Sequence, residues 1–274
     1  MTDDNQQTSQ QPEQRPSLYD KHPGYDVHFE ACQKRLRVMF NGEVVADSTD
    51  VQYLCESSHI PVYYFPLGDV RQDLLVATDL VTHCPFKGDA KYWTVKVGDK
   101  EAENAVWTYP TPYPETAELK DYVAFYWDRM DHWFEEDEEV FVHARDPKVR
   151  LDILDSTRPV RIMVAGQVVG ESTRARMLFE TGLPTRYYLP KEDVRTEFLQ
   201  PSERHSNCPY KGTASYWHLN IDNEIFGDLV WSYPEPVAEA SRIKDYLCFF
   251  NEQVEAVLVD GIEMPRPVTK WSAK

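Results

Sequence analysis

Cysteine is scarce in this sequence of 274 residues, and no two cysteines form a Cys-x-x-Cys pair. The five cysteines are Cys32, Cys55, Cys84, Cys208 and Cys248. An odd number in a chain of this size argues against a scaffold of disulfide bonds. Because zinc ribbons and fingers are built on Cys-x-x-Cys pairs, we expect no metal, and no motif in the sequence indicates a cofactor.

Long apolar runs and an excess of positive charge are also missing. No stretch approaches the roughly 18 apolar residues of a membrane span. The 46 acidic and 29 basic side chains give a net charge of −17. A field of that sign repels nucleic-acid phosphates and anionic lipids, so we expect neither nucleic acid nor a membrane as a partner. The first residues, MTDDNQQTSQQPEQRPS, lack the pattern of a secretory signal and predict a disordered tail of a cytoplasmic protein.

The most informative feature that is present is an internal repeat. At a constant offset of 124 residues and without a gap, residues 37–126 align with residues 161–250, and about a third of the paired positions are identical. HCPFKGDAKYW matches NCPYKGTASYW, and VWTYPTPYPE matches VWSYPEPVAE. A register held over this length indicates the duplication of one module.

Local patterns within each copy predict a mainly β (α+β) fold. Asn41–Gly42 favours a tight hairpin turn, and the β-branched and aromatic runs 62–65, 92–97 and 106–109 predict further strands of an antiparallel sheet. Apolar residues at helical spacing then predict one C-terminal helix per copy. They are Leu119, Tyr122, Val123, Tyr126, Met130 and Trp133 in the first copy, and Ile243, Tyr246, Leu247, Phe250, Val254 and Val257 in the second.

These patterns divide the chain into five segments. We expect a disordered tail over 1–20, a first module over 21–134, and a second module over 158–262 followed by a tail over 263–274. Residues 135–157 are expected to be a linker with the strand that leads into the second module. Its acidic run, EEDEE, is interpreted as a solvated helix end.

The segment Cys-Pro-x-Lys-Gly-x-Ala-x-Tyr-Trp occurs once in each copy, beginning at Cys84 and at Cys208. Proline and glycine fix the backbone of this loop, which is expected to hold the thiol and Lys87 or Lys211 at the start of a strand. A cation near a thiol increases its thiolate fraction, which suits catalysis. The alternative is that the cysteine is an inert, buried residue of a purely structural loop. His83 adjoins Cys84 but is replaced by Asn207 in the second copy.

Aromatic and charged residues recur at equivalent positions. The aromatic set is Tyr64, Tyr92, Trp93, Trp107 and Tyr109 in the first copy and Tyr188, Tyr216, Trp217, Trp231 and Tyr233 in the second. It suits either a core or the walls of a pocket for a planar or cationic molecule. The charged set is Glu56 with Arg71 and Glu180 with Arg195. It suits either internal ion pairs or a pocket floor that binds a carboxylate or phosphate.

The strings ETGLPTRYYLPKEDVR, CPYKGTASYW and VWSYPEP resemble the family known as domain of unknown function 427, over about 37–134 and 158–258. The resemblance implies a β-tent-like module, similar in topology to methionine sulfoxide reductase B and the ligand-binding domain of cereblon. Those relatives carry two Cys-x-x-Cys zinc knuckles that are missing here. The family is sometimes labelled nucleotidyltransferase-like, a chemistry that needs a Gly-Ser loop followed by Asp-x-Asp, and no such arrangement occurs in this chain.

Three functional hypotheses follow. The leading one is a small-molecule-binding protein with an aromatic-walled pocket in each module, whose ligand is anionic or planar. The alternatives are a thiol-dependent enzyme that uses Cys208 or Cys84, and a protein-interaction scaffold. If only one copy is active, the second is closer to the family pattern, because the first has CESSHIPVYYFP in place of FETGLPTRYYLP. The sequence leaves the oligomeric state open.

Overall fold

The computed structural model describes residues 15–272, and the chain divides into two compact units between Ala144 and Arg145. Most of the predicted disordered tail lies outside the described residues. Its last part does not extend freely, because Tyr19–Lys21 form a 3₁₀ helix and the backbone N–H of Leu18 donates to the carbonyl of Pro85 at 3.0 Å.

Residues 15–144, the described part of the first unit, contain eleven strands in two antiparallel sheets. Seven strands form the larger sheet in the order β1-β4-β5-β9-β8-β7-β6, and the smaller sheet has the order β11-β10-β2-β3. The strands are β1 (Val27–Ala31), β2 (Leu36–Phe40), β3 (Glu43–Ser48), β4 (Gln52–Glu56), β5 (Val62–Pro66), β6 (Leu75–Cys84), β7 (Gly88–Val97), β8 (Lys100–Thr108), β9 (Tyr122–Phe125), β10 (His132–Glu135) and β11 (Glu138–Val140).

The second unit repeats this arrangement, with a seven-stranded sheet in the order β12-β15-β16-β20-β19-β18-β17 and a four-stranded sheet in the order β14-β13-β21-β22. The strands are β12 (Leu151–Asp155), β13 (Val160–Val164), β14 (Gln167–Ser172), β15 (Arg176–Glu180), β16 (Arg186–Leu189), β17 (Leu199–Cys208), β18 (Gly212–Ile221), β19 (Glu224–Ser232), β20 (Leu247–Phe249), β21 (Ala256–Val259) and β22 (Ile262–Glu263). The prediction of a mainly β fold in two tandem modules is confirmed.

The hairpin expected at Asn41–Gly42 joins β2 and β3. Both residues have positive φ angles, 47° and 80°, as the tightest two-residue hairpin turns require. The outermost strands of the large sheets are less regular. The ladder between β6 and β7 is interrupted between Ala77 and Val81, and the ladder between β17 and β18 is interrupted between Pro201 and His205. The two copies therefore share even this irregularity.

The predicted C-terminal helix of each module is wrong, since residues 15–272 contain only short 3₁₀ helices and no α-helix. Besides Tyr19–Lys21, these are Leu67–Asp69, Gln72–Leu74, Pro114–Leu119, Trp127–Arg129, Lys191–Asp193, Thr196–Phe198 and Ala238–Ile243. Asp121 and Asp245 have φ angles of 68° and 63°, which interrupt any helix at the start of the proposed stripe. The acidic run is a β10–β11 hairpin and not a helix end.

Strand β9, in the middle of the large sheet of the first unit, is buried on both faces, which explains why its sequence imitates a helix. Val123 and Phe125 of β9 face a core cluster shared with the small sheet, whereas Ala124 faces a second cluster on the outer side. A strand covered on both sides shows an almost continuous apolar run, and such a run does not distinguish a strand from a helix by its period. The apolar positions were identified correctly, but the element they belong to was not.

Candidate functional site

The turn between β6 and β7 carries the Cys-Pro-x-Lys-Gly loop of the first unit. Cys84 ends β6, Gly88 begins β7, and the two are paired across the hairpin. The backbone N–H of Lys87 donates to the carbonyl of Cys84 at 3.4 Å, so the loop is a tight turn. Gly88 has a φ of 98°, a conformation that a β-carbon would strain. The thiol and the lysine therefore leave the backbone from fixed points.

Lys87 forms a buried ion pair with Glu56 at the end of β4. Its Nζ donates to Oε2 of Glu56, and the hydroxyl of Tyr25 donates to Oε1 at 2.7 Å. Only 10% and 12% of the lysine and glutamate side chains are exposed. Burial raises the pKa of Glu56, but the hydrogen bonds from Lys87 and Tyr25 outweigh it and hold the pKa below its usual range. The ionised carboxylate balances the charge of the ammonium group.

The second unit contains the same pair. Nζ of Lys211 donates to both carboxylate oxygens of Glu180, at 2.7 and 2.6 Å. The partners are again almost fully buried. Gly212 after the lysine has a φ of 100°, and a β-carbon there would lie 2.9 Å from the carbonyl oxygen of Glu235. The loop and its ion pair are thus one structural feature that occurs in both copies.

Arg71 and Arg195 recur together with Glu56 and Glu180, but these two arginines form their ion pairs with other residues. Arg71 donates to the carboxylate of Asp73 at 2.8 and 2.7 Å, and Arg195 pairs with Glu197. Both arginine side chains are about half exposed. Each arginine bonds an acidic residue only two positions along the chain, so the glutamates are left to the lysines. The sequence contains both a lysine and an arginine that could pair with each glutamate, and it gives no distances by which to choose between them.

A cavity of about 440 Å³ lies beside the Lys87–Glu56 pair of the first unit. It is on the outer face of the large sheet, against the smaller of the two core clusters. Seven of the predicted site residues line it: Glu56, Tyr64, Cys84, Lys87, Tyr92, Trp107 and Tyr109. The structure therefore brings most of the site residues predicted for this copy to one place.

The aromatic walls of this cavity are held by hydrogen bonds and ring contacts. Nε1 of Trp107 donates to the hydroxyl of Tyr64 at 3.0 Å, and the indole lies 4.6 Å from the ring of Tyr126. The hydroxyls of Tyr92 and Thr82 are 2.7 Å apart. Because the polar ends of Tyr64, Tyr92 and Trp107 are engaged, these three rings present their faces in defined orientations.

Seven further residues line the cavity and were not among the predicted site residues: Tyr25, Leu54, His59, Val62, Pro85, Phe86 and Tyr126. Tyr25 stacks on Phe86 with 3.8 Å between ring centroids and 14° between planes. Tyr25 precedes the aligned repeat, so the alignment could not indicate it. Phe86 and Tyr126 could have been found, because aromatic residues also occupy the equivalent positions Tyr210 and Phe250.

Trp93 and Trp217 were also predicted to bind ligand, but they face the other side of the sheet from Tyr92 and Tyr216. Trp93 packs against the cluster between the two sheets, and Trp217 packs against the core of the second unit. Neighbours along a strand point to opposite faces. Trp93 therefore packs into the core and does not line the cavity, and Trp217 packs in the same way in the second unit.

In the second unit a guanidinium group lies among the equivalent rings. Arg186 stands where the first unit has Val62, and its guanidinium carbon lies 5.6 Å from the ring centroid of Trp231 and 6.0 Å from that of Phe250. The guanidinium donates to both carboxylate oxygens of Glu252, at 2.6 and 2.7 Å. The Glu252 side chain is fully buried. The space next to these rings is therefore filled by an ion pair.

The C-terminal segment, predicted as a tail over 263–274, packs against this ion pair as far as residue 272. Trp271 lies 5.5 Å from the guanidinium of Arg186, and Oγ1 of Thr269 donates to Glu252 at 2.7 Å. Met264 and Trp271 both contact the core of the unit. The segment thus covers the part of the second unit that corresponds to the cavity of the first.

The other predicted site residues of the second unit keep the geometry of their counterparts. Nε1 of Trp231 donates to the hydroxyl of Tyr188 at 3.2 Å, and the hydroxyls of Tyr216 and Ser206 are 2.7 Å apart. Tyr233 is buried beside them in the same core. The aromatic walls are alike in the two units. The units differ in the space beside these walls, which is a cavity in the first unit and is occupied by the Arg186–Glu252 ion pair in the second.

Comparison with known proteins gives one result. The model of a family described as a domain of unknown function (DUF427) matches residues 28–136 and again residues 152–260. The chain belongs to this family. It carries two tandem DUF427 modules, and no curated protein matches it. Among its described residues, no helix combines the length and the apolar character that crossing a membrane requires.

The thiols of the DUF427 modules differ in their surroundings. Cys84 and Cys208 are both partly exposed and pack against an apolar cluster of their module, and Cys84 also lines the cavity of the first module. His83 has its Nδ1 atom 2.6 Å from a carboxylate oxygen of Asp89. Burial raises the pKa of Cys248 to about 12. Of the two predicted nucleophiles, Cys84 thus lies in the wall of the cavity described above.

Proposed function

We propose that the first DUF427 module binds a planar small molecule between its aromatic walls. The cavity volume of about 440 Å³ is in the range of small-molecule sites, about 300–1,000 Å³. Trp107, Tyr109 and Tyr126 supply ring faces on which a planar ligand can stack. The cavity, lined by seven residues that the repeat had already singled out, is the observation that carries this proposal.

The Lys87–Glu56 pair favours a ligand with a hydrogen-bond donor and acceptor side by side. Because the carboxylate of Glu56 neutralises Lys87, the polar end of the cavity offers no net positive charge from this pair. An ammonium group donates and a carboxylate accepts, so together they match the edge of a polar heterocycle. Of the two ligand classes expected from the sequence, we therefore favour the planar one over the anionic one.

In this proposal the second module serves as a structural partner that does not bind the same ligand. Support comes from Arg186, whose guanidinium lies against the rings of Trp231 and Phe250, and from Trp271, which lies beside it. This reverses the order suggested by the family pattern, in which the second copy looked the more competent one. Val62 and Arg186 occupy equivalent positions in otherwise matching strands, so this exchange is the difference between the two modules that the proposal uses.

Ligand-observed NMR with a panel of planar heterocyclic metabolites tests the proposal. Trp107→Ala removes a stacking surface worth about 1–3 kcal/mol, so the Kd of a bound heterocycle should rise about 5- to 150-fold. Trp231→Ala removes the equivalent indole of the second module and should leave Kd unchanged. Equal losses in both variants, or no heterocycle binding to the wild type, would contradict the proposal.

A second variant introduces into the first module the arginine that fills the equivalent space of the second module. Val62→Arg places a guanidinium beside the rings of Trp107 and Tyr126, as Arg186 does beside Trp231 and Phe250. Binding should be abolished while the far-ultraviolet circular dichroism of the chain is retained. Val62→Leu, which adds volume without charge or a long side chain, is the matched control and should reduce affinity much less.

A thiol-dependent enzyme is the second candidate, favoured by the position of Cys84 in the wall of the same cavity. A functional thiolate would react rapidly with iodoacetamide near neutral pH, faster than Cys208 in the same chain. Slow labelling of Cys84 would remove this candidate and leave the binding proposal intact. All five cysteines are free thiols, which supports the proposal of a reducing, cytoplasmic setting.

A further inference from the structure

Three potential metal ligands meet at the β1–β4 edge of the first unit. His28 of β1 lies directly opposite Cys55 of β4 in the strand ladder. Glu30 is two residues beyond His28 and so projects from the same face of β1. One ligand atom from each residue, a ring nitrogen, a thiol sulfur and a carboxylate oxygen, lies within 4.8 Å of the other two.

The histidine ring is oriented as metal-binding imidazoles are. Nδ1 of His28 is 2.6 Å from a carboxylate oxygen of Asp26, and Nε2 is 2.9 Å from Oε1 of Glu30. A histidine that binds a metal through one ring nitrogen usually donates the other N–H to a carboxylate, which fixes the ring and its tautomer. Asp26 can serve as that outer partner, since it holds Nδ1 and leaves Nε2 directed at Glu30.

The cluster is specific to the first copy. The ladder of β12 with β15 has the same register as that of β1 with β4, so the equivalent positions can be read directly. They hold Asp152, Leu154 and Phe179 in place of His28, Glu30 and Cys55. In the second unit one carboxylate, Asp152, thus remains, and the other two positions hold apolar side chains, although the backbone pairing is unchanged.

The geometry points to a zinc-class site, in which His28, Glu30 and Cys55 bind one divalent, borderline-soft cation. Thiolate, imidazole and carboxylate are the three zinc donors in proteins, with bond lengths of about 2.0–2.3 Å. Tetrahedral bonds of this length set the ligand atoms roughly 3.3–3.8 Å apart, which small side-chain rotations reach from the present separation. Three protein ligands leave the fourth position to water or an exogenous ligand.

This site is separate from the proposed ligand cavity. Cys55 packs against the cluster between the two sheets, whereas its neighbour Glu56 lines the cavity on the outer face of the same sheet. The expectation of no metal rested on the missing Cys-x-x-Cys pair. Residues that meet only through strand pairing, 27 positions apart in the case of His28 and Cys55, form no such motif.

Cobalt(II) titration of the chelator-treated full-length chain tests the inference. Co²⁺ substitutes for Zn²⁺ and gives thiolate-to-cobalt absorption when a cysteine is a ligand. We expect one equivalent to produce this absorption and one equivalent of Zn²⁺ to abolish it. Cys55→Ser should lose the absorption, and Cys84→Ser, the control for the other partly exposed thiol of this unit, should keep it. An unchanged absorption in Cys55→Ser would overturn the inference.

Two further measurements separate ligation from misfolding. Asp26→Asn removes only the outer partner, so it should weaken metal affinity about 10- to 100-fold while the thiolate absorption is retained at saturation. In the wild type, one equivalent of Zn²⁺ should protect Cys55 from iodoacetamide without changing the labelling of Cys84, as mapped by peptide mass spectrometry. Protection of both thiols, or of neither, counts against this site.

Discussion

Removing the guanidinium from the buried ion pair of the second module tests directly whether this ion pair stabilises the module. Arg186 and Glu252 are 8% and 0% exposed and share two hydrogen bonds of 2.6 and 2.7 Å. Arg186→Met keeps much of the side-chain volume but leaves a buried carboxylate with Thr269 as its remaining side-chain partner. Breaking such a pair from one side destabilises a protein by about 3–5 kcal/mol.

The assay is differential scanning calorimetry of the full chain. For a unit of about 130 residues, a loss of 3–5 kcal/mol lowers Tm by roughly 10–20 °C. Hydrogen exchange read by mass spectrometry should place the change in the second module. Val62→Met, at the equivalent position of the first module, changes only apolar volume and should cost less than about 1.5 kcal/mol.

The double variant Arg186→Met/Glu252→Met distinguishes a broken ion pair from lost packing. Replacing both partners by apolar groups of similar volume is often neutral or stabilising, so most of the lost Tm should return. If the double variant is no more stable than Arg186→Met, or if Arg186→Met melts like Val62→Met, the reasoning fails.

The pH dependence of the stability should have opposite signs in the wild type and in Arg186→Met. In the wild type, burial raises the pKa of Glu252, but the hydrogen bonds from Arg186 and Thr269 outweigh it and lower the pKa below its ordinary value of 4.5. The stabilisation is therefore complete above about pH 5 and is lost as the pH falls through the lowered pKa. In Arg186→Met burial dominates and raises this pKa, so Tm should increase as the pH is lowered toward 5.

Two other predictions concern the backbone and the thiols. Gly212→Ala should destabilise the second module by about 1–3 kcal/mol, because its φ is 100° and the new β-carbon would lie 2.9 Å from the carbonyl oxygen of Glu235. Gly166→Ala, with φ 70° and no atom within 4 Å, is the control and should cost less in thermal denaturation. Cys248, buried and with its pKa raised to about 12, should resist alkylation until the chain unfolds, whereas Cys84 should react in the folded protein. Labelling of Cys248 under native conditions would show that its module opens locally.

The repeat is what made much of this structure predictable. Because the offset of 124 residues holds without a gap, both copies had to share strand order, and the hairpin at Asn41–Gly42 could be placed from its turn chemistry alone. The recurring rings at Tyr64, Trp107 and Tyr109, which suited either a core or a pocket wall, line the cavity. Recurrence in both copies showed which side chains belong together without showing how they touch.

Features that depend on long-range pairing could not be predicted. Glu56 pairs with Lys87, which is 31 residues away in the sequence. Nothing in the local sequence favours Lys87 over Arg71 as the partner of Glu56. The helix prediction failed for a related reason: a sheet covered on both faces removes the alternation by which a strand is recognised. The exchange of Val62 for Arg186 could be interpreted only from the structure. The strand pairing shows that the two side chains lie beside equivalent aromatic rings in the two modules.

The interrupted ladders at the outer strands have a consequence for how the chain behaves at high concentration. Strand β6 is the last of its sheet and exposes Val76, Leu80 and Val81, the kind of apolar edge on which a second chain could add a strand. The break between Ala77 and Val81 disturbs the row of donors and acceptors that such growth requires, and Pro201 removes a donor from the corresponding edge of β17. Restoring a regular edge would therefore be expected to favour aggregation of the chain through its sheets.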